Sequence, residues 1–242
     1  MKDPTTLQTL LNSLTAYNSR WNNDTERWKI RNEYNRYHKD ENGKPILTKE
    51  RLAYVREIMA HQFNLLVQRR GMTPRQRTDN TLDKVVNFLT NPATRTSLLL
   101  LGTPGTGKTT FMRAAFMTIG FLYQEDISSR QLTTRWTKAS ELGALLKTDK
   151  DAYKAIKHAT VLCIDDLGFN GESEVVNDYG VKARPIEDII EHRYDRQLMT
   201  ICTSNLTEGE IREKYGERIY SRLCEAFSIV AVAGMDYRQA TR

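Results

Sequence analysis

The run Gly102-Thr103-Pro104-Gly105-Thr106-Gly107-Lys108-Thr109 constrains this chain more than any other stretch of it. Three glycines within six positions let the backbone curl where a β-carbon would block it. The apolar segment Ser97–Leu101 precedes the run, and a helical pattern, Lys108–Leu122, follows it. Strand, glycine-rich turn and helix in that order form the setting of a phosphate-binding loop. In such a loop successive backbone N–H groups point at phosphate oxygens, and the helix N-terminus adds its positive end. Lys108 is expected to neutralise the β- and γ-phosphates, and the Thr109 hydroxyl to complete the coordination of Mg²⁺. Thr110, the next residue, extends the expected lining into the helix.

A second constellation is Val161-Leu162-Cys163-Ile164-Asp165-Asp166, with Asp165 57 residues beyond Lys108. Four apolar residues read as a buried strand, and two carboxylates emerge at its C-terminal end, where ligands bind in open α/β sheets. Asp165 is expected to hold the Mg²⁺ shell, and Asp166 to orient or deprotonate an attacking water. The strand Met199–Thr203 ends in Ser204-Asn205, and the amide of Asn205 either positions that water or starts the next helix. Within Tyr215–Leu223, Arg218 and Arg222 are four apart and share a helix face. An arginine delivered to a γ-phosphate accelerates transfer by up to ~10³–10⁵; surface arginines are also common.

The rest of the chain falls into two patterns. Up to about Gly71 it reads as helical: Leu7, Leu14, Trp21 and Trp28 are spaced by seven. Asp40–Pro45 reads as a turn, and Lys49–Arg70 as a second amphipathic helix with Leu52, Val55, Met59, Phe63 and Leu66 on one face. Gly71 is its expected C-terminal cap. The division expected is a helical region 1–71, a polar linker 72–80, and an α/β domain 81–242. In the last, helical patterns separate short apolar runs (Ser97–Leu101, Leu132–Thr137, Val161–Ile164, Met199–Thr203, Phe227–Val232), the signature of a parallel sheet.

Composition narrows the partners. Residues 1–80 carry 15 Lys and Arg against 9 Asp and Glu, so the whole net charge of +6 lies in the first third. That points either to an acidic partner such as nucleic acid or to a solvated helical face. No apolar run reaches the ~20 residues that span a bilayer, and no secretory signal is evident. Cys163, Cys202 and Cys224 read as reduced thiols of a cytoplasmic protein.

Taken in order, Gly102–Thr109, Ile164–Gly168, Thr203–Leu206 and Gly216–Leu223 resemble the AAA+ ATPases, and especially the DnaC/DnaI helicase loaders and the related IstB transposition ATPases. The resemblance covers roughly Thr81 to Arg238. It implies a P-loop NTPase fold, a five-stranded parallel sheet flanked by helices, with a small all-helical N-terminal domain before it and no C-terminal lid. It implies ATP as the nucleotide, with Gly102–Thr109 as the Walker A loop and Asp165-Asp166 as the Walker B acids. Asn205 would be sensor I, Arg222 (or Arg218) an arginine finger acting in a neighbouring subunit, and Arg238 the sensor II arginine. Asp166 stands where many relatives have Glu, and the shorter side chain implies slow hydrolysis, stimulated by DNA or assembly. The implied partners are a hexameric DnaB-type helicase held by the N-terminal helices, single-stranded DNA held near Lys138–His158, and further copies of the chain. The segment Gly168–Arg184 is long for a strand–helix connection; the readings open for it are a contact with DNA, a contact with a partner subunit, or a simply mobile loop. An IstB-like helper binding duplex DNA and a transposase is the second function implied. An ATP-binding scaffold and a small-molecule kinase are further classes, the kinase disfavoured by the asparagine and paired arginines.

Overall fold

A computed structural model of the chain describes residues 49–73, 80–90, 94–123, 133–168, 175–178 and 181–234. The seam Leu7–Trp28, the turn Asp40–Pro45, most of the linker and Arg238 lie outside the described residues.

The order is α1 (Lys49–Gln68), α2 (Thr81–Thr90), β1 (Ser97–Leu101), α3 (Lys108–Tyr123), β2 (Thr134–Lys138), α4 (Ala139–Thr148), α5 (Lys150–Lys157), β3 (Val161–Leu167), β4 (Val176–Asp178), β5 (Val181–Ala183), α6 (Pro185–Asp195), β6 (Met199–Ser204), α7 (Glu208–Ala226) and β7 (Phe227–Ala231). Five strands form one sheet in the order β2-β3-β6-β1-β7, all parallel. The strands lie close to the expected runs, with β3 longer: it carries both acids inside the strand.

A parallel sheet is covered on both faces, so its strands are apolar on both. All five residues of β1 are buried. Leu98 and Leu100 join a core with α1, α2 and α3, whereas Leu99 and Leu101 join a second core with α4 to α7. The register sets Cys163 beside Ile201 and Ile164 beside Cys202. The two thiols therefore enter opposite cores and cannot bridge. Burial pushes Cys202 up to about 12 and Cys163 well above the usual thiol range, so both remain inert thiols.

α1 shares the first core. Val55, Ile58 and Met59 are buried with α3 residues, and Phe63 stacks on Phe111 with ring centroids 4.4 Å apart. Leu52 departs from the expected apolar face, standing 41% exposed. It lies on the same stripe as Met59 seven residues on, but one turn before the covered part of the helix begins. The region Lys138–His158 forms α4 and α5, which pack on the second face of the sheet. Within Gly168–Arg184 the described residues include the antiparallel strand pair β4 and β5.

The first crossover carries the chain from interior strand β1 to the far edge strand β2, and α3 lies on one face. The later helices, α4 to α7, lie on the other. β1 thus sits at the switch point, and the crevice beyond the strand C-termini opens beside it.

Candidate active site

The glycine-rich loop leaves β1 at this crevice. Gly102, Gly105 and Gly107 have φ of 156°, 82° and 94°. A β-carbon on Gly102 would stand 2.5 Å from the Val232 carbonyl oxygen, which belongs to the segment following β7. Thr106 ties the loop across its base by donating to the Thr103 carbonyl at 2.9 Å.

Lys108 is buried, and its Nζ donates to the carbonyls of Gly102 at 2.6 Å and Thr103 at 2.8 Å. Both of these acceptors are neutral carbonyl oxygens of its own loop. A phosphate oxygen is the stronger acceptor for an ammonium, so an arriving polyphosphate has a thermodynamic reason to draw Lys108 away.

Opposite the loop, Asp165 is 4% exposed. Its Oδ1 accepts from the Thr109 hydroxyl at 2.9 Å and from the Thr203 hydroxyl at 2.7 Å. Thr203 Oγ1 in turn accepts the backbone N–H of Asp166 at 2.9 Å. Loop helix, acid strand and β6 are thereby knitted by three hydrogen bonds. The pairing of β3 with β6 shifts register between Ile164 and Leu167, a bulge. There Asp166 has φ 57°, a left-handed conformation that Asp tolerates better than most residues. The bulge re-aims Asp166 out of the strand alternation, and the residue is half-buried rather than buried.

Ser204 continues the network, donating to the Leu167 carbonyl at 2.7 Å and accepting the Leu206 N–H at 3.1 Å. Asn205 follows at the strand tip and is exposed. Lys214 of α7 donates to the Gly168 carbonyl at 3.1 Å and so pins the exit of the acid strand. The hydroxyls of Thr203 and Ser204 were visible in the sequence as polar residues closing an apolar strand, but the partner of each depends on register.

Arg218 and Arg222 stand elsewhere. α7 breaks at Gly216, φ 78°, and both arginines follow the break. They converge on one carboxylate oxygen, Oε1 of Glu191 on α6, at 2.9 Å and 2.6 Å. Arg222 also lies over the Tyr194 ring at 5.3 Å. The side chain of Arg222 is 20% exposed and that of Arg218 74%.

Asp165, Thr109 and Thr203 offer hard oxygen donors, the set that suits Mg²⁺ rather than a thiophilic ion. A phosphate loop at the C-terminal edge of a parallel sheet, bonded to a buried aspartate one strand beyond its neighbour, defines a P-loop nucleotide-binding protein. The family is shown by comparison: the model of the ATPase family associated with various cellular activities (AAA) matches residues 98–223, and the chain belongs to that family. The fold is similar to the crystal structure of the DnaC helicase loader, at 22% identity over 67% of this chain and 94% of that one, with a TM-score of 0.50. DnaI is similar at 22% identity over 67% and 87%, TM-score 0.49. AMPPCP-bound DnaA from Aquifex aeolicus is similar at 16% identity over 66% of this chain and 48% of that one, TM-score 0.48, so this chain spans about half of that DnaA. No curated protein matches the chain by sequence. Among the described residues, no helix is long and apolar enough to cross a membrane.

Proposed function

We propose that the chain is an ATP-hydrolysing switch that loads a DnaB-type replicative helicase onto single-stranded DNA. The observation that carries the ATPase part is the convergence of Thr109 and Thr203 on Asp165, which ties a phosphate loop to an acid strand. The loader part is supported by the fold likeness to the DnaC helicase loader, which extends over 94% of that protein's chain.

In this reading Gly102–Thr110 hold the triphosphate of ATP, with the loop amides and Lys108 on its charges. Asp165 and Thr109 would hold Mg²⁺, which when bound neutralises developing charge on the phosphates. Asp166, freed from the strand pleat by its bulge, orients and deprotonates the attacking water. Asn205, exposed at the tip of β6, positions that water in this reading. Arg222, with Arg218 as the second choice, acts in a neighbouring copy of the chain, and doing so requires exchange of Glu191 for a γ-phosphate. Arg238 would complete the site from its sensor position.

The test uses the full chain and a variant lacking residues 1–48, a cut chosen because α1 belongs to the ATPase core. The full chain is expected to form an ATP-dependent complex with a replicative helicase hexamer and to hydrolyse ATP faster with single-stranded DNA. The shortened chain keeps nucleotide binding and loses the helicase. Absence of a complex between the full chain and its cognate helicase sinks the loader reading. Coating of duplex DNA in place of helicase binding marks a transposition helper instead.

A further inference from the structure

The helix that carries the phosphate loop is contacted by a cation from outside the family domain. α1 ends in a paired cap: Gly71, at φ 72°, donates to the Gln68 carbonyl and Met72 to that of Val67. The cap stops α1 beside α3, and Arg70, exposed, lies in the turn just past its last residue, Gln68. From there Arg70 Nη1 donates a 2.8 Å hydrogen bond to Oγ1 of Thr110. Thr110 is 2% exposed and lies two residues past Lys108.

The side of the loop is fixed by helix geometry. Thr109 faces Asp165, and one further residue turns an α-helix by about 100°. Thr110 and Arg70 therefore stand on the flank of the loop away from the acids. On that flank the loop holds the phosphates nearer the nucleoside, because the lysine and the acids serve the terminal ones. A phosphate takes a guanidinium with two charge-assisted bonds, each stronger than the bond Arg70 makes to the Thr110 hydroxyl.

We propose that Arg70 is a phosphate-binding residue of the nucleotide site, acting on the α- or β-phosphate that ATP and ADP share. The inference rests on the ATP reading of the loop. Its consequence is mechanical. Arg70 is placed by the packing of Val55, Ile58, Met59 and Phe63 against the first core, so whatever shifts α1 shifts Arg70.

The experiment measures equilibrium binding of mant-ATP and mant-ADP to the full chain as wild type, Arg70→Gln and Arg70→Lys. Gln keeps a polar side chain and loses the charge. Arg70→Gln is expected to raise both Kd values about five- to tenfold, the scale of a charge-assisted contact partly open to solvent. The ATP-to-ADP ratio stays as in wild type, Arg70→Lys recovers most of the loss, and the Tm without nucleotide is unchanged. Wild-type affinity in Arg70→Gln overturns the inference while leaving the ATP reading intact, and so does a loss confined to ATP. A wild-type chain that binds neither nucleotide overturns both.

Discussion

Thr109 and Asp165 are 56 residues apart in the chain and joined by a 2.9 Å hydrogen bond that links the loop helix to the acid strand. Thr203 donates to the same oxygen at 2.7 Å. In Asp165→Asn an amide with half the acceptor capacity replaces a carboxylate that takes two hydroxyls, and the local negative charge disappears. Phosphate release at saturating ATP and Mg²⁺ is expected to fall at least about a hundredfold, while ATP binding measured without Mg²⁺ stays within about twofold of wild type. Retained turnover would show that Asp165 serves only to fasten the loop.

Asp166 separates chemistry from strain. At φ 57° Asn is tolerated nearly as well as Asp, whereas Ala adds about 1 kcal/mol of left-handed strain. Asp166→Asn is expected to fold and bind ATP as wild type and to hydrolyse it ~10²–10⁴-fold more slowly. Asp166→Ala adds a loss of about 1 kcal/mol in urea denaturation. Equal turnover in wild type and Asp166→Asn would remove Asp166 from the mechanism.

The legibility of this site in the sequence divides along physical lines. Five consecutive buried residues in β1 and the glycine pattern after it are local signals, and both the strand and the loop follow from them. Two acids in a row are different. An unbroken strand would send them to opposite faces, and only the register shift against β6 decides where each one points. Thr203 scores as an ordinary strand residue, and its role as the hinge of the network exists only once β6 lies beside β3. The amphipathic pattern of Lys49–Arg70 predicted a helix correctly and was silent about which surface it covers. That surface is the loop helix α3, so Arg70 reaches Thr110, a contact spanning 40 residues that no local pattern encodes.

Arg193 holds the opposite end of the sheet. It is 2% exposed, and it donates to Thr200 Oγ1 at 2.8 Å, to the carbonyls of Ala159 and Met199 at 2.6 Å each, and to Lys157 at 3.1 Å. Burial lowers its pKa to about 10, so it stays charged at neutral pH, with carbonyls as its partners. Arg193→Met fills the volume but leaves these buried acceptors without donors, at a cost of about 3–5 kcal/mol. Arg193→Lys, with three donors on one nitrogen and no fork, is expected to recover less than half. Guanidinium denaturation reads both, and a loss below about 1 kcal/mol for the Met variant would mean that water replaces the guanidinium.

His192, beside Arg193, ties stability to pH. Its Nδ1 lies 3.1 Å from Arg196 Nη1, and its Nε2 lies 3.2 Å from His158 Nδ1. Arg196 can only donate, so Nδ1 accepts and the ring is the neutral Nε2–H tautomer. A second proton on Nδ1 would face the guanidinium. Burial first, then Arg196, His158 and Lys157, lower the His192 pKa from 6.5 to about 4, against an opposing pull from Asp188. Between those values the unfolded chain binds a proton that the native chain refuses, so stability falls as pH drops from 6.5 towards 4 and is unaffected by this group above 6.5. His192→Gln, neutral throughout, removes that slope. After allowance for solvent screening at a partly exposed position, its advantage over wild type is expected to grow to about 1 kcal/mol, or several degrees in Tm, by pH 4.5. Tm curves of the two proteins that run parallel from pH 7.5 to 4.5 would show that His192 protonates as freely in the folded chain as in the unfolded one.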